Sequence, residues 1–305
     1  MKAAASLSVV LGAAVAVLIT RFHNISTFEH AHAGRLPVGS NGIVIGAESI
    51  ELVGNASRAV LIVHGFGDTP QSLNPLAIAL NRAGWTVSAP LLPGHGRRLR
   101  EYAASRHDDW IGAVFERYDE LQSKHGFVVV CGVSMGAALA VLLAAARPEI
   151  PALALLAPYF TMPPAIRLKS DIATLVQFML PYHASTGGES SIHDPEARAA
   201  AIGAGVVTAG LLRQLRAVAG MAERALPSVR APTLYLQSRE DNRIPERAAV
   251  AEFVKLGCAV KEQRWLTGCG HIITVDHCKD EVAKQVVSWF ANSLNIIDEG
   301  QAQDK

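Results

Sequence analysis

From residue 59 onward, short runs that are apolar throughout alternate with longer stretches whose apolar positions recur every three or four residues. Runs of this kind lie at 59–63, 127–131 and 152–156, and strand candidates that mix apolar with polar residues lie at 86–89, 233–237 and 260–266, each bounded by Gly, Pro or polar turn residues. Their length and content of Val, Ile and Leu predict strands buried on both faces. Helical periodicity runs through 72–83, 108–124, 135–147, 246–256 and 276–294. Strand and helix taken in turn predict an α/β fold, a mostly parallel sheet flanked by helices. Two shorter runs within 42–53 predict an antiparallel strand at its edge.

The rhythm fails between 159 and 229, where stretches rich in Leu, Met and Ala follow one another with no strand between them. An inserted small helical cap is the simplest reading. The polar tail 298–305 predicts a frayed end. At the other terminus no charge occurs from residue 3 to residue 20, a run about as long as the shortest helix that spans a bilayer. It ends at Leu18-Ile19-Thr20-Arg21, without the small residues of a cleavage site, so residues 1–21 predict an uncleaved single-pass anchor to the membrane. Ala31-His32-Ala33 is the alternative, a cleavage site that would release an exported domain. Residues 22–41 have little periodicity and predict a linker, which leaves 42–305 as the globular domain. Lys2 faces Arg21 and Arg35 across the apolar run, so the charges do not decide which side of the membrane that domain occupies.

Half the residues are apolar and 18% are charged, which suits a large buried sheet plus a separate greasy segment. The formal charge of +1 removes the electrostatic basis for nucleic-acid binding and points to a small neutral molecule. Four cysteines, Cys131, Cys258, Cys269 and Cys278, lack C-x-x-C spacing, so neither a metal site nor a redox pair is signalled. Cys131 reads as a small buried hydrophobe, and Cys269 with Cys278 as a pair only in an oxidising compartment.

The chemistry begins at Gly132-Val133-Ser134-Met135-Gly136, a G-x-S-x-G pentapeptide. Such a motif is short enough to arise by chance, but here FVVVC precedes it and MGAALAVLLAAARP follows, the strand-turn-helix setting of a strained nucleophilic serine. A hydroxyl is a poor nucleophile at neutral pH, so Ser134 needs a base, and the base needs an orienting acid. Asp241 follows the strand at 233–237 and meets the second need, with Glu240 beside it as the competing carboxylate. Among eleven histidines, His271 alone lies in a glycine-containing loop after the last strand and before the last helix, where a base belongs. His183, His193 and His277 lack such a position, and Asp276 reads as the cap of the last helix. His64-Gly65-Phe66-Gly67 supplies a loop whose amide at Phe66, with that of Met135, forms a pair of donors for a developing oxyanion. Pro93-Gly94-His95-Gly96 is a second glycine turn, and His95 reads as structural.

Four segments together, LIVHGFGDTPQSLNPLAIALNRAGWTVSAPLLPGHG, GVSMGAALA, YLQSREDNRIP and GCGHIITVDHCKDEVAKQVVSWF, resemble the carboxylesterase and monoacylglycerol lipase branch of the α/β-hydrolase family, in that family's order. The resemblance implies an α/β-hydrolase fold, Ser134 as nucleophile, Asp241 and His271 as its partners, and the amides of Phe66 and Met135 as the oxyanion hole. It also implies no metal or organic cofactor and a small-molecule ester substrate, of short or medium acyl chain or a monoglyceride. Leu168, Ile172, Leu175, Phe178 and Met179 in the cap are the candidates to line the acyl pocket. Hydrolysis of thioesters or amides on the same residues, and a catalytically silent membrane-anchored binding module, are the alternatives. The sequence names no protein partner.

Overall fold

The computed structural model describes residues 2–185 and 188–303, with side chains described over 9–164, 166–185 and 188–293. Strands β1 (Ile50–Leu52), β2 (Arg58–Val63), β3 (Thr86–Ala89), β4 (Phe127–Val133) and β5 (Leu153–Leu156) enter one sheet. Two short strands follow in the cap, β6 (His183–Ala184) and β7 (Val206–Val207), before β8 (Thr233–Ser238) and β9 (Lys261–Leu266) complete the sheet. Its order is β1-β3-β2-β4-β5-β8-β9, parallel throughout except for β1. The predicted antiparallel edge is therefore present, as Ile50 to Leu52 paired with Ala89 to Val87.

Because side chains of a strand alternate between faces, a strand buried on both sides must be apolar at every position. In β2, Ala59, Leu61 and Val63 pack with the helices α4 (His107–Lys124), α5 (Met135–Ala146), α9 (Ala209–Ala225) and α10 (Glu246–Lys255). Val60 and Ile62 point the other way, toward α2 (Asn74–Arg82) and α11 (Lys279–Gln303). The same division places Val128 and Val130 on one face and Val129, Cys131 and Val133 on the other. Cys131 is thus the buried hydrophobe expected of it; Cys258 is buried too, and both thiols are free.

Three departures from expectation concern the stretch 159–229 and the amino terminus. The cap holds α6 (Pro164–Val176), α7 (Gly188–Ser191) and α8 (Pro195–Ala200), but β6 and β7 form an antiparallel ribbon inside it; pairs of two residues are too short to leave a periodic signal. Helix α9 leaves the cap and lies on α5, burying Leu211, Leu215, Val218 and Ala222 on one stripe, with Thr208 accepting from the Leu211 amide at its start. At the amino terminus α1 (Lys2–Arg35) is one helix, so the segment 22–35, expected as irregular linker, is helical. Its polar residues hold it to the domain: the Asn24 amide exchanges two hydrogen bonds with the backbone of Tyr182, and Arg100 binds Glu29 through two nitrogens. Residues 31–33, the alternative cleavage site, fall within this helix, and His32 is buried. The carboxy-terminal helix continues to Gln303, through most of the tail expected to fray; residues 304 and 305 lie outside those described. A short helix α3 (Leu99–Ala104), which the sequence reading did not anticipate, packs Leu99 and Tyr102 into the core.

Cys269 and Cys278 form a disulfide. It spans the loop between β9 and α11.

The turn from β4 to α5 is tightly closed. A side chain at Gly132 would meet the carbonyl of Gly136, and one at Gly136 would meet the carbonyls of Val63 and His64. Gly132→Ala is accordingly expected to cost about 1–3 kcal/mol in urea unfolding, as overpacking of a closed core does. Gly112→Ala, in the middle of α4 with nothing within 4 Å of the added carbon, is expected to be neutral or to stabilise by up to about 1 kcal/mol.

Candidate active site

At the carboxyl edge of the sheet β4 ends at Val133, and Ser134 turns into α5 with φ +54° and ψ −116°. A residue with a side chain avoids this region, at a cost of order 1–3 kcal/mol. Four bonds hold it there: the Ser134 amide donates to the Leu156 carbonyl (2.9 Å), and the Ser134 carbonyl accepts from the amides of Tyr159 (3.2 Å), Ala137 (3.1 Å) and Ala138 (3.3 Å). The hydroxyl is thereby lifted out of the helix and into a cavity of about 340 Å³.

His271 reaches the same cavity from the loop after β9, only 7% exposed. Its Nε2 accepts from the Ser134 hydroxyl at 2.9 Å, and its Nδ1 donates to Asp241 Oδ2 at 2.8 Å. Asp241 stands in the turn after β8 with its carboxylate fully enclosed. The other oxygen accepts the amides of Arg243 (2.6 Å) and Ile244 (2.9 Å), while Gln237 Nε2 donates to Oδ2 (2.7 Å). Burial works against the charge of Asp241, but the His271 ring and these two amides outweigh it and hold the carboxyl below the usual range. Glu240, the competing carboxylate, turns to the Gly268 amide (2.7 Å) and toward His193, away from the His271 ring.

The loop that carries His271 is held by a residue whose role the sequence reading misplaced. Asp276 is fully buried and accepts four amides, those of His193, Asp194, Gly270 and His277. Helix α11 begins only at Lys279, so this carboxylate ties the His271 loop to the cap instead of capping the helix. His193 and His277 lie near the acids Glu240 and Asp194, at 3.6 and 3.9 Å, and His183 lies in the ribbon strand β6.

Gly65 passes directly behind the serine, and a carbon added to it would sit 3.3 Å from Ser134 Cβ. Phe66 and Met135 both flank the serine: Phe66 lines the cavity and packs its ring on Tyr102, Trp110 and His95, and Met135 is the first residue of α5, where helical amides have no partner in the helix. His95 is buried beneath this loop, edge-on to His64, a structural position.

Of the five apolar cap residues expected in the pocket, none lines it. Leu168, Ile172, Leu175, Phe178 and Met179 are 39% to 84% exposed on the outer surface. Periodicity assigns residues to one helical face without saying which face turns inward. The apolar lining is instead Phe66, Val133, Ile166, Ile192, Leu212, Leu215 and Ile272. Arg35, Arg198 and Arg243 are at the wall as well, the first carried in from α1 and bonded to the carbonyls of Gly203 (2.6 Å) and Ala204 (2.9 Å). Asp68, also in the wall, accepts from the Ser72 hydroxyl; burial pushes its pKa up to about 6, against the pull of Ser72, Thr69 and His271.

A family model described as serine aminopeptidase, S33, matches residues 54–277. The thermostable monoacylglycerol lipase of Bacillus sp. (strain H-257) is 30% identical over 242 residues, which is 78% of this chain and 92% of that protein. A carboxylesterase of Bacillus subtilis (strain 168) is 25% identical over 76% of this chain and 92% of its own. A solved structure from work on LipS and LipT, two metagenome-derived lipolytic enzymes, is 28% identical with a TM-score of 0.75, covering 82% of this chain and 99% of that one. The family match runs from just before β2 to beyond His271, through the whole sheet but its edge strand, and the chain belongs to the serine aminopeptidase S33 family of α/β-hydrolases.

Proposed function

We propose that this protein is a serine esterase working through an acyl-enzyme, with Ser134 as nucleophile, His271 as general base and then acid, and Asp241 as the residue that orients and stabilises the imidazolium. The observation that carries the reading is the unbroken relay from Ser134 to His271 to Asp241, at 2.9 and 2.8 Å. The Ser134 oxygen attacks the ester carbonyl while its proton passes to His271 Nε2. The carbonyl oxygen becomes an anion held by the amides of Phe66 and Met135, each such donor being worth roughly 10² to 10³ in turnover. The imidazolium gives the proton to the departing alcohol, and a water molecule then repeats the sequence on the acyl-serine, returning the free acid.

The relatives support esters over the amides in the family's name, since those described above are a monoacylglycerol lipase, a carboxylesterase and lipolytic enzymes. The apolar wall from Ile166, Ile192, Leu212 and Leu215 suits a short or medium acyl chain, and monoacylglycerols are the substrates the first relative suggests. The apolar part of α1 is read as a membrane anchor. It belongs to a helix long and apolar enough to cross a bilayer, and none of its most apolar window is buried in the domain. Over residues 3–20 it rises about 27 Å, close to the hydrocarbon thickness.

Ser134→Ala is expected to abolish labelling by a fluorophosphonate probe and to lower hydrolysis of p-nitrophenyl butyrate by at least about 10⁴-fold, with His271→Ala comparable and the double variant no worse. Labelling that survives in folded Ser134→Ala would exclude this serine as nucleophile. A second prediction concerns Asp68, whose pKa burial raises to about 6. An acid held above its unfolded value loses stability for the fold as pH rises past that unfolded value, so Asp68→Asn is expected to unfold at higher urea than the wild type at pH 8 and to lose that advantage at pH 4. Equal differences at the two pH values would show that this acid is not held against its ionisation.

A further inference from the structure

We propose that Arg35, the last residue of α1, is a positioning residue for the oxyanion loop: its guanidinium holds the cap segment 203–204 against Gly67, so that the amino-terminal helix takes part in the chemical step. This rests on the reading of Phe66 as an oxyanion donor.

The loop at 64–67 is steered from two sides. On one, the Phe66 ring packs on Tyr102, Trp110 and His95. On the other, the cap, the Gly67 carbonyl accepts the Ala204 amide at 2.7 Å. The approach is close, since a carbon added to Gly203 would sit 2.9 Å from the same carbonyl oxygen. Gly67 has φ +67°, and a glycine there leaves the backbone free to turn either way. Whatever fixes residues 203–204 therefore fixes the chain directly after Phe66.

What fixes them comes from α1. Residues 201–205 belong to no helix or strand and include two glycines, so contacts with other parts of the chain must set their place. Arg35 Nη2 donates to the carbonyls of Gly203 (2.6 Å) and Ala204 (2.9 Å). The Gly203 carbonyl and the Ala204 amide are the two ends of one peptide group, and that group is trans. A continuous chain of bonds thus runs from the cation, through this peptide, to Gly67. A cation on the carbonyl polarises the group and makes its N–H the stronger donor. Beside it, Leu36 packs with Val44, Ala47 and Ile202, which seats the end of α1 on the same segment.

Arg35 also lines the cavity of Ser134, so contact with substrate is the rival role. The bonds favour positioning, because the two hydrogens of Nη2 are matched by two backbone carbonyls. The family match begins at residue 54, so the tie is made by a part of the chain outside the matched segment.

The test uses the full-length protein in dodecyl maltoside micelles, with p-nitrophenyl butyrate as substrate and a trifluoromethyl alkyl ketone as transition-state analogue. The Ser134 oxygen adds to the ketone carbon, its proton passes to His271, and the ketone oxygen becomes an anion, so the Ki of the ketone reads the oxyanion donors. Arg35→Met is expected to lower kcat about tenfold, less than the roughly 10² to 10³ of a donor removed outright, with KM unchanged within about twofold. Ki is expected to rise by the factor by which kcat/KM falls. Arg35→Lys, which keeps a cationic donor, is expected to regain about threefold in kcat and Ki, and Arg35→Gln, a neutral donor, less. A partly unfolded variant loses kcat but keeps Ki, which is measured on the molecules that turn over. A fall in kcat with Ki unchanged would therefore overturn the proposal, as would wild-type kcat in Arg35→Met, or a raised KM with kcat intact. Wild-type protein that hydrolyses the ester but resists the ketone would overturn the oxyanion reading itself; with the wild type inhibited, each of these results bears on Arg35 alone.

Discussion

The strained backbone of Ser134 is the constraint on which the site depends. A positive φ at a residue with a side chain persists only where its surroundings leave no alternative. Here the alternatives are removed by a strand and a helix so close that residues 132 and 136 have room for hydrogen alone. The strain is carried by the core on either side, where β4 is sealed by α5 on one face and by the α2 and α11 layer on the other. From that one turn follow the exposed hydroxyl and the fixed point toward which His271 must be brought.

That arrangement was legible in the sequence because each of its parts sits where a strand ends. Uniformly apolar runs of strand length mark a sheet buried on both sides, and the residues just past them fall on one rim whatever the details of packing. Ser134, Asp241 and His271 could be selected on that ground. Between Glu240 and Asp241 the sequence offered only adjacency and resemblance. The structure separates them through the turn itself: the amides at 243 and 244 and the amide group of Gln237 converge on residue 241, while residue 240 reaches outward to Gly268.

What could not be read were features that depend on which way an element faces or on partners far apart along the chain. The apolar positions of α6 announce a stripe, and only packing reveals that Ser170 and Ala173 hold the inward side. Asp276 looks like a helix cap from its position, but its four amide partners come from residues 193, 194, 270 and 277, which no local pattern joins. Arg35 stands in a segment without apolar periodicity, and its place in the cavity wall follows from α1 continuing unbroken beside the cap. Asp68 directly follows the turn His64-Gly65-Phe66-Gly67, and its proximity to that glycine-rich turn at the rim was a signal available but unused.

The bridge between Cys269 and Cys278 gives the His271 loop a dependence that the rest of the fold lacks. Closing so small a ring limits the unfolded chain by about 2–3 kcal/mol on the chain-entropy account, and inside the ring lie both the imidazole and Asp276. Both sulfurs also pack in the apolar layer between the sheet and α11, beside Leu266, Ile273 and Val282. A thiol reductant would loosen the loop that carries His271 together with that edge of the core, so the electrochemical poise of the surrounding compartment bears on both.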